Sequence, residues 1–286
     1  MHKLAIRASM LEQEVAQLRL IMERQTGVLL QTPSEILSDA VSELIEHSRF
    51  RSVSDLLEKL RSSDEECEIF AERLFRAETR FFRFPAAFES FAQTVLPEIQ
   101  SHQPQDHART LRIWSAGCSS GEEAYSIAMT VCEARKNNGS GWNVHIVGSD
   151  IRRSALQVAE RGLYHQSALD RVPGQLVQTY FAKVGEHLLA KPRLRNLVTF
   201  SQMNLTRPAY IGQFHCIFCV DVLPHFSAAQ RAALARQLHL YLQPGGYLFL
   251  GAGEKLPATD LSFETEESDE CKFYRKPAAV AAKSGA

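Results

Sequence analysis

Arg112-Ile113-Trp114-Ser115-Ala116-Gly117-Cys118-Ser119-Ser120-Gly121-Glu122-Glu123-Ala124-Tyr125-Ser126-Ile127-Ala128 is the stretch that decides the fold. A strand ends in a loop of small residues, and a helix begins at a serine. Small residues let a ligand approach the backbone, and the free N–H groups of a helix start favour an anionic or polar group. The lysine of a nucleotide-triphosphate loop is missing, and the glycine spacing is not the full dinucleotide fingerprint. Taken alone, this is an ordinary strand-to-helix turn.

The next strand downstream ends in Gly148-Ser149-Asp150. An acidic side chain at that place in a doubly wound sheet accepts hydrogen bonds from both hydroxyls of a ribose. Asp150 could equally cap the helix that begins near Arg153. Its position relative to the first loop favours the ribose.

Outward from these two turns, strand candidates continue at Leu197–Gln202, Phe214–Asp221 and Tyr247–Gly251, after Leu111–Ala116 and Asn143–Ser149. Helical stretches fall near 121–135, 153–161 and 227–242. Alternating strand and helix predicts an α/β fold, a mostly parallel doubly wound sheet covered on both faces, with ligands at the carboxyl ends of its strands. The segment 162–200 is too long for one connection and predicts a small insertion of short strands. Lys272-Phe273-Tyr274-Arg275 is placed to pair back on the last strand. The alanine-rich tail from Pro277 to Ala286 is expected to be disordered.

Residues 1–80 carry helical periodicity instead, and predict a separate helical domain before the α/β domain of 81–286. Leu11, Val15, Leu18 and Met22 recur at helical spacing, with Gly27 where a C-terminus wants it. Ser34 opens a second helix with Ile36, Leu37, Ala40, Val41, Leu44 and Ile45 toward its buried side. Ser52 or Ser54 opens a third through Leu56, Leu57 and Leu60. Ser63-Asp64 opens a fourth that buries Ile69, Leu74 and Phe75.

The 286 residues hold 32 basic and 33 acidic side chains, a net charge of −1, which gives no general pull toward nucleic acid or anionic lipid. No apolar run approaches the roughly 20 residues that span a bilayer, and Met1-His2-Lys3-Leu4 does not lead into a signal-peptide core. A cytoplasmic protein is expected, without membrane insertion. Six cysteines lack the density of a disulfide scaffold. Cys216 and Cys219 have the spacing of a metal or redox pair but lie in a strand, where residues three apart face opposite sides; they are read as core residues, and no metal is expected.

Thr79-Arg80-Phe81-Phe82-Arg83, the block from Trp114 to Ala128, Gly148-Ser149-Asp150-Ile151, Asn204-Leu205, Phe218-Cys219 and Pro244-Gly245-Gly246-Tyr247-Leu248-Phe249-Leu250-Gly251 occur in this order along the chain. Together they resemble the chemotaxis receptor methyltransferases of the CheR type, over nearly the whole chain. The resemblance implies a class I, Rossmann-like, S-adenosylmethionine-dependent methyltransferase that esterifies glutamates on the cytoplasmic helical region of a chemoreceptor, leaving S-adenosylhomocysteine. It implies that Thr79 and Arg83 contact the cofactor, Arg83 near its methionine part or the transferring methyl. It implies that Gly117 binds the cofactor, with Glu123 at the cofactor's amino acid end, Asp150 at the ribose, Asn204 and Leu205 around the adenine, and the insertion at 162–200 as the family's small β-subdomain. The loop Lys183-Val184-Gly185-Glu186-His187 is short and lacks the glycine-rich form of members that tether to a receptor's C-terminal pentapeptide, so independence of that tether is expected.

The reaction itself asks little acid–base chemistry. A sulfonium methyl is already activated and a glutamate carboxylate is already ionised at neutral pH, so alignment and removal of water carry the catalysis. Arg83 suits holding a carboxylate or the cofactor by charge-assisted hydrogen bonds.

Several family positions are replaced. Val220, Asp221 and His225 stand where the family has Arg, Asn and an active-site Tyr, in the cofactor and catalytic region; Ala77 replaces Asn, and Ala252-Gly253 replace His-Ser. Asp221 and His225, if both face the methyl-transfer site, form a carboxylate–imidazole pair able to deprotonate an amine or hydroxyl, although Pro224 disfavours one helix through both. Glu35, Asp39, Glu43 and Glu46 make the second helix acidic where the family presents basic residues to its acidic substrate helix. Alternatives to glutamate esterification are therefore a methyltransferase with another acceptor and a non-catalytic S-adenosylmethionine-binding signalling module.

Overall fold

The computed structural model describes residues 12–46, 50–74, 79–102, 109–138, 142–207, 209, 211–268 and 271–278. They fall into two compact units, one within Met1–Ala77 together with Pro224–Gln230, the other within Glu78–Leu223 together with Arg231–Ala286. Leu11, Phe75, Ala77 and residues 279–286 of the tail lie outside the described residues.

The first unit is built from helices Glu12–Thr26, Ser34–Glu46, Val53–Ser62 and Asp64–Leu74. Val15, Leu18 and Met22 are buried, and the first helix ends at Gly27, whose φ of 77° is the left-handed stop that glycine permits. Ser52 Oγ accepts the Asp55 N–H at 3.2 Å and Ser63 Oγ accepts the Glu66 N–H at 3.2 Å, the two cap bonds that fix where the third and fourth helices begin. Arg19 donates to the carbonyls of Leu30 at 2.5 Å and Thr32 at 2.9 Å, tying down the connection between the first two helices. The core joins Leu18, Leu37, Val41, Leu56, Leu60 and Phe70.

One expectation fails on the second helix. Leu37, Val41 and Leu44 are buried, but Ile36 is 55% exposed. Leu37, Val41 and Leu44 already fill the i, i+4, i+7 stripe, and a residue one position before that stripe is turned about 100° away. Ile69 of the fourth helix is only half-buried, since Cys67, Phe70, Ala71 and Leu74 occupy its inner side. Glu35, Asp39, Glu43 and Glu46 all lie on the exposed side, with Glu43 3.6 Å from Arg73.

The second unit is α/β. Strands β1 (Arg109–Ala116), β2 (Trp142–Asp150), β3 (Leu163–His165), β4 (Phe181–Val184), β5 (His187–Ala190), β6 (Val198–Gln202), β7 (Phe214–Cys219), β8 (Leu242–Leu250), β9 (Glu264–Ser268) and β10 (Cys271–Arg275) form two sheets. The large one has the order β6-β2-β1-β7-β8-β10-β9. Its first five members run parallel, and β10 and β9 add as an antiparallel edge. Helices Glu122–Asn138 and Arg153–Arg161 follow β1 and β2, and Ala228–Tyr241 precedes β8. Stacked rings of Phe218, Phe249 and Phe273 run across β7, β8 and β10 at 4.7 and 5.1 Å, and Phe91 meets Phe218 edge-on at 5.3 Å.

Strand ends differ from the sequence reading in two places that matter. β7 stops at Cys219 instead of Asp221, because Asp221 takes a left-handed φ of 57° and turns the chain out of the sheet. β8 begins at Leu242 instead of Tyr247; the extra residues around Gly245-Gly246 are absorbed by a register shift opposite Phe214 and Cys216. The 162–200 segment supplies the small antiparallel sheet β3-β5-β4, whose β4–β5 hairpin closes on Gly185-Glu186 with Gly185 at φ 59°. Cys216 and Cys219 are fully buried in β7, and burial pushes both thiols well above their ordinary range. Among the described residues no helix is long and apolar enough to cross a membrane.

Candidate active site at the strand carboxyl ends

Parallel strands point their carboxyl ends one way, so the loops after β1, β2, β6, β7 and β8 gather on one rim of the second unit. Thr79–Arg83 belongs to the same unit. Three residues other than glycine have positive φ among those described, and each lies in one of these segments: Phe82 at 50°, Ser119 at 51° and Asp221 at 57°. Each left-handed side-chain-bearing residue costs about 1–3 kcal/mol and persists only where surroundings enforce it, and such strain concentrates at functional sites.

The β1 loop is anchored on β2. Gly117 and Cys118 both donate to the Ser149 carbonyl at 2.8 Å. Gly117 has φ 82°, and a Cβ there would sit 2.6 Å from Val222 Cγ2. The space that the small residue leaves is thus used by this chain's own β7 loop. Ser119 donates its N–H to Asp150 Oδ2 at 2.9 Å; Asp150 Oδ1 accepts from the Arg152 amide at 2.9 Å and from Arg152 Nε at 3.3 Å; Arg152 Nη2 donates to Ser119 Oγ at 2.6 Å. Asp150 therefore closes a ring of bonds that joins the β1 and β2 loops; the helix at Arg153 has Arg152 as its N-cap and no side-chain cap, so Asp150 is not its cap.

Beyond β6, the Asp150 carbonyl accepts the Met203 N–H at 2.9 Å, which brings Asn204 and Leu205 beside the β2 end. The Asn204 side-chain oxygen accepts from the Thr206 amide at 2.9 Å and hydroxyl at 2.8 Å, folding the segment into a turn. Leu205 is buried. Thr79 hydrogen-bonds the carboxylate of Glu122, which also accepts from Ser120 Oγ at 2.8 Å; burial still raises the Glu122 pKa. Phe82 is held in its strained conformation by an N–H donated to Ser126 Oγ at 2.9 Å.

Charge concentrates where β1, β7 and β8 end. Glu123 accepts from Ser115 Oγ at 2.6 Å. Its carboxyl is pushed up to about 7, foremost by burial, with Asp221 and Glu254 pushing the same way against Ser115 and Arg83. Arg83 Nη2 meets Asp221 Oδ2 at 2.9 Å, both side chains about two-fifths exposed. Glu254 Oε2 accepts the Gly251 N–H at 2.5 Å and the Asp221 N–H at 2.9 Å. Burial raises the Glu254 pKa, while the Gly251, Asp221 and Leu223 amides pull it back. Glu254 Oε1 is buried and accepts no well-formed hydrogen bond among the described residues.

The sequence-predicted residues Thr79, Arg83, Gly117, Glu123, Asp150, Asn204, Leu205, Val220 and Asp221 all fall in the second unit, at or beside these strand ends. Val220 packs half-buried against its core. His225 belongs instead with the first unit, where its carbonyl accepts the Leu29 N–H at 2.7 Å. The carboxylate of Asp221 has Arg83 as its ion-pair partner. Ser115, Glu122, Ser126, Arg152 and Glu254 were not read as site residues. Glu254 carries one signal that could have revealed it, a carboxylate three residues past the glycine that ends a buried strand.

Among the described residues, three carboxylates gathered with one guanidinium suit a ligand end that carries more positive than negative charge. A zwitterionic amino acid attached to a sulfonium has that balance.

Residues 77–272 match the family model described as CheR methyltransferase, SAM binding domain. The chain is 35% identical over 245 residues to chemotaxis protein methyltransferase 1 of Pseudomonas aeruginosa, covering 83% of this chain and 88% of that protein. It is 34% identical over 260 residues to the chemotaxis protein methyltransferase of Vibrio parahaemolyticus, covering 88% and 93%. With a strand-end site of this charge on a class I α/β sheet, the chain belongs to the CheR methyltransferase family, an enzyme family whose cofactor is S-adenosylmethionine.

Proposed function

We propose that the protein methylates glutamate side chains on the cytoplasmic helical region of a chemoreceptor, in the cytoplasm, forming methyl esters. The observation that carries the reading is the guanidinium of Arg83 set among Glu123 and Asp221, with Glu254 behind them. Arg83 holds the carboxylate of the cofactor's methionine end, and Glu123 and Asp221 take its ammonium. Asp150, already aligned by Ser119 and Arg152, receives the ribose hydroxyls. Thr79 and Gly117 line the methionine end, Asn204 and Leu205 the adenine, and Val220 offers an apolar wall.

The cofactor, when bound, supplies a methyl group on a positively charged sulfur. The acceptor oxygen then needs no base, and the protein's work is to hold two reactants in line and exclude water. The carboxylates favour the positive reactant, and Arg83 offsets their repulsion of an anionic acceptor. The two-residue β4–β5 turn supports independence of a pentapeptide tether.

Incubation with methyl-labelled cofactor and receptor-containing membranes tests this. Mild alkali is expected to release the label as methanol, and Arg83→Ala to lower transfer by about tenfold or more. Label that survives alkali refutes ester formation and supports an amine or hydroxyl acceptor, which the excess of carboxylates favours. His225 enters that second reading as a base, and His225→Ala would then abolish transfer. Cofactor binding without any transferred label supports the non-catalytic module.

A further inference from the structure

The last residue pair between β7 and β8 is Cys219 with Leu250. Beyond it the backbone donors Asp221 N–H and Gly251 N–H have no facing strand, and both turn to one oxygen of Glu254. A side chain thereby extends the ladder past the point where the sheet stops. Gly251 is what allows this approach: a Cβ there would lie within the contact radius of Asp221 Oδ1 and 2.7 Å from Glu254 Oε2. Asp221 meanwhile holds φ 57°, a conformation its own side chain disfavours, and from it reaches Arg83 at 2.9 Å.

From these contacts we infer that Glu254 is a positioning residue of the cofactor site. It pins the end of β7 to the end of β8 and keeps Asp221 left-handed, so that the Asp221 carboxylate and Arg83 face the methionine end as a preset pair. The inference rests on the cofactor reading above and adds to it a residue that acts through Asp221.

If Glu254 acts through Asp221, its value must vanish when Asp221 has no carboxylate to place and no strain to resist. Glycine at 221 meets both conditions, because it adopts the left-handed conformation freely. Binding of S-adenosylhomocysteine to the full chain is measured by calorimetry for wild type, Glu254→Ala, Asp221→Gly and the double variant. The expected result is a loss of about tenfold for Glu254→Ala in the wild-type background and less than about twofold in the Asp221→Gly background, the non-additivity of coupled residues. In steady state, Glu254→Ala raises KM for the cofactor more than it lowers kcat.

Where Glu254→Ala does not fold, Glu254→Met, which keeps the length of the side chain but offers no oxygen to the two amides, takes its place in the cycle with the same collapse expected. Equal losses in both backgrounds overturn the inference, as does a Glu254→Ala protein that binds within about twofold of wild type. Wild-type protein that binds no S-adenosylhomocysteine overturns the cofactor reading itself, and this inference with it.

Discussion

Cofactor binding should expel a proton, and Glu123 sets how much. Its carboxyl is raised from the ordinary 4.5 to about 7, chiefly by burial. At about pH 6.5 such a group is roughly three-quarters protonated, whereas at about pH 8 it is roughly one-tenth protonated. Bringing an ammonium and a sulfonium beside it favours the carboxylate and returns its pKa toward the ordinary range. Binding therefore releases about 0.7 proton at about pH 6.5, where the ligand's own α-amino group is already protonated. Titrating S-adenosylmethionine into the protein in buffers of different ionisation enthalpy reads this number as the slope of observed heat against buffer enthalpy. Glu123→Gln should remove most of the slope at about pH 6.5 and most of the pH dependence of affinity between about pH 6 and pH 7. A wild-type slope of zero at about pH 6.5, with binding intact, would refute the assignment of Glu123 to the cofactor's cationic end. The same shift has a sign for folding. A carboxyl raised in the folded state is neutral there while the unfolded chain ionises, so stability falls as pH rises from about 4.5 to about 7, by about 3 kcal/mol in all. Bound cofactor cancels that loss.

Asp150→Ala removes the acceptor of the buried Ser119 amide and the partner of Arg152, and should cost about 3 kcal/mol in denaturant unfolding as well as cofactor affinity; unchanged stability would show that Asp150 is a ligand group alone. Gly251→Ala drives a methyl into Asp221 and Glu254 and should lower the midpoint of thermal unfolding by an amount equivalent to about 2 kcal/mol, with cofactor binding weakened alongside. A fully stable Gly251→Ala protein with normal affinity would contradict the packing described at the β8 end.

The parallel sheet was legible because its strands alternate with helical stretches, and Leu111–Ala116, Asn143–Ser149 and Leu197–Gln202 each end within about two residues of the observed strands. The β8 start was not, since Pro244-Gly245-Gly246 looks like a turn and only the register shift against β7 keeps it in the sheet. Asp221 looked like the end of a strand, and nothing local announces its left-handed backbone, whose N–H is held by a hydrogen bond to a residue 33 positions later. Glu254 offered only its place three residues past Gly251, since its role exists only once β7 and β8 lie side by side. Arg83, Glu123 and Asp150 could be named because each follows a recognisable turn or motif. What those motifs do not encode is the side-chain partner of each, such as Asp221 for Arg83 and Ser115 for Glu123.

The strand order has a consequence for how the enzyme comes into being. β1 pairs through Ile113 with Cys216 of β7, and the site's charged groups are drawn from residue 83 to residue 254, with the ladder at its rim closed by the latest of them. A chain emerging from the ribosome thus carries Arg83, Glu123 and Asp150 long before it owns the partners that arrange them, and contacts so distant in sequence close slowly. On the cofactor site proposed above, affinity arrives only with the last parallel strand, and chains ending short of Gly251 are expected not to sequester the cofactor. Once complete, the folded enzyme gains stability in proportion to the logarithm of the cellular cofactor level, which couples its lifetime to the supply of the methyl donor it consumes.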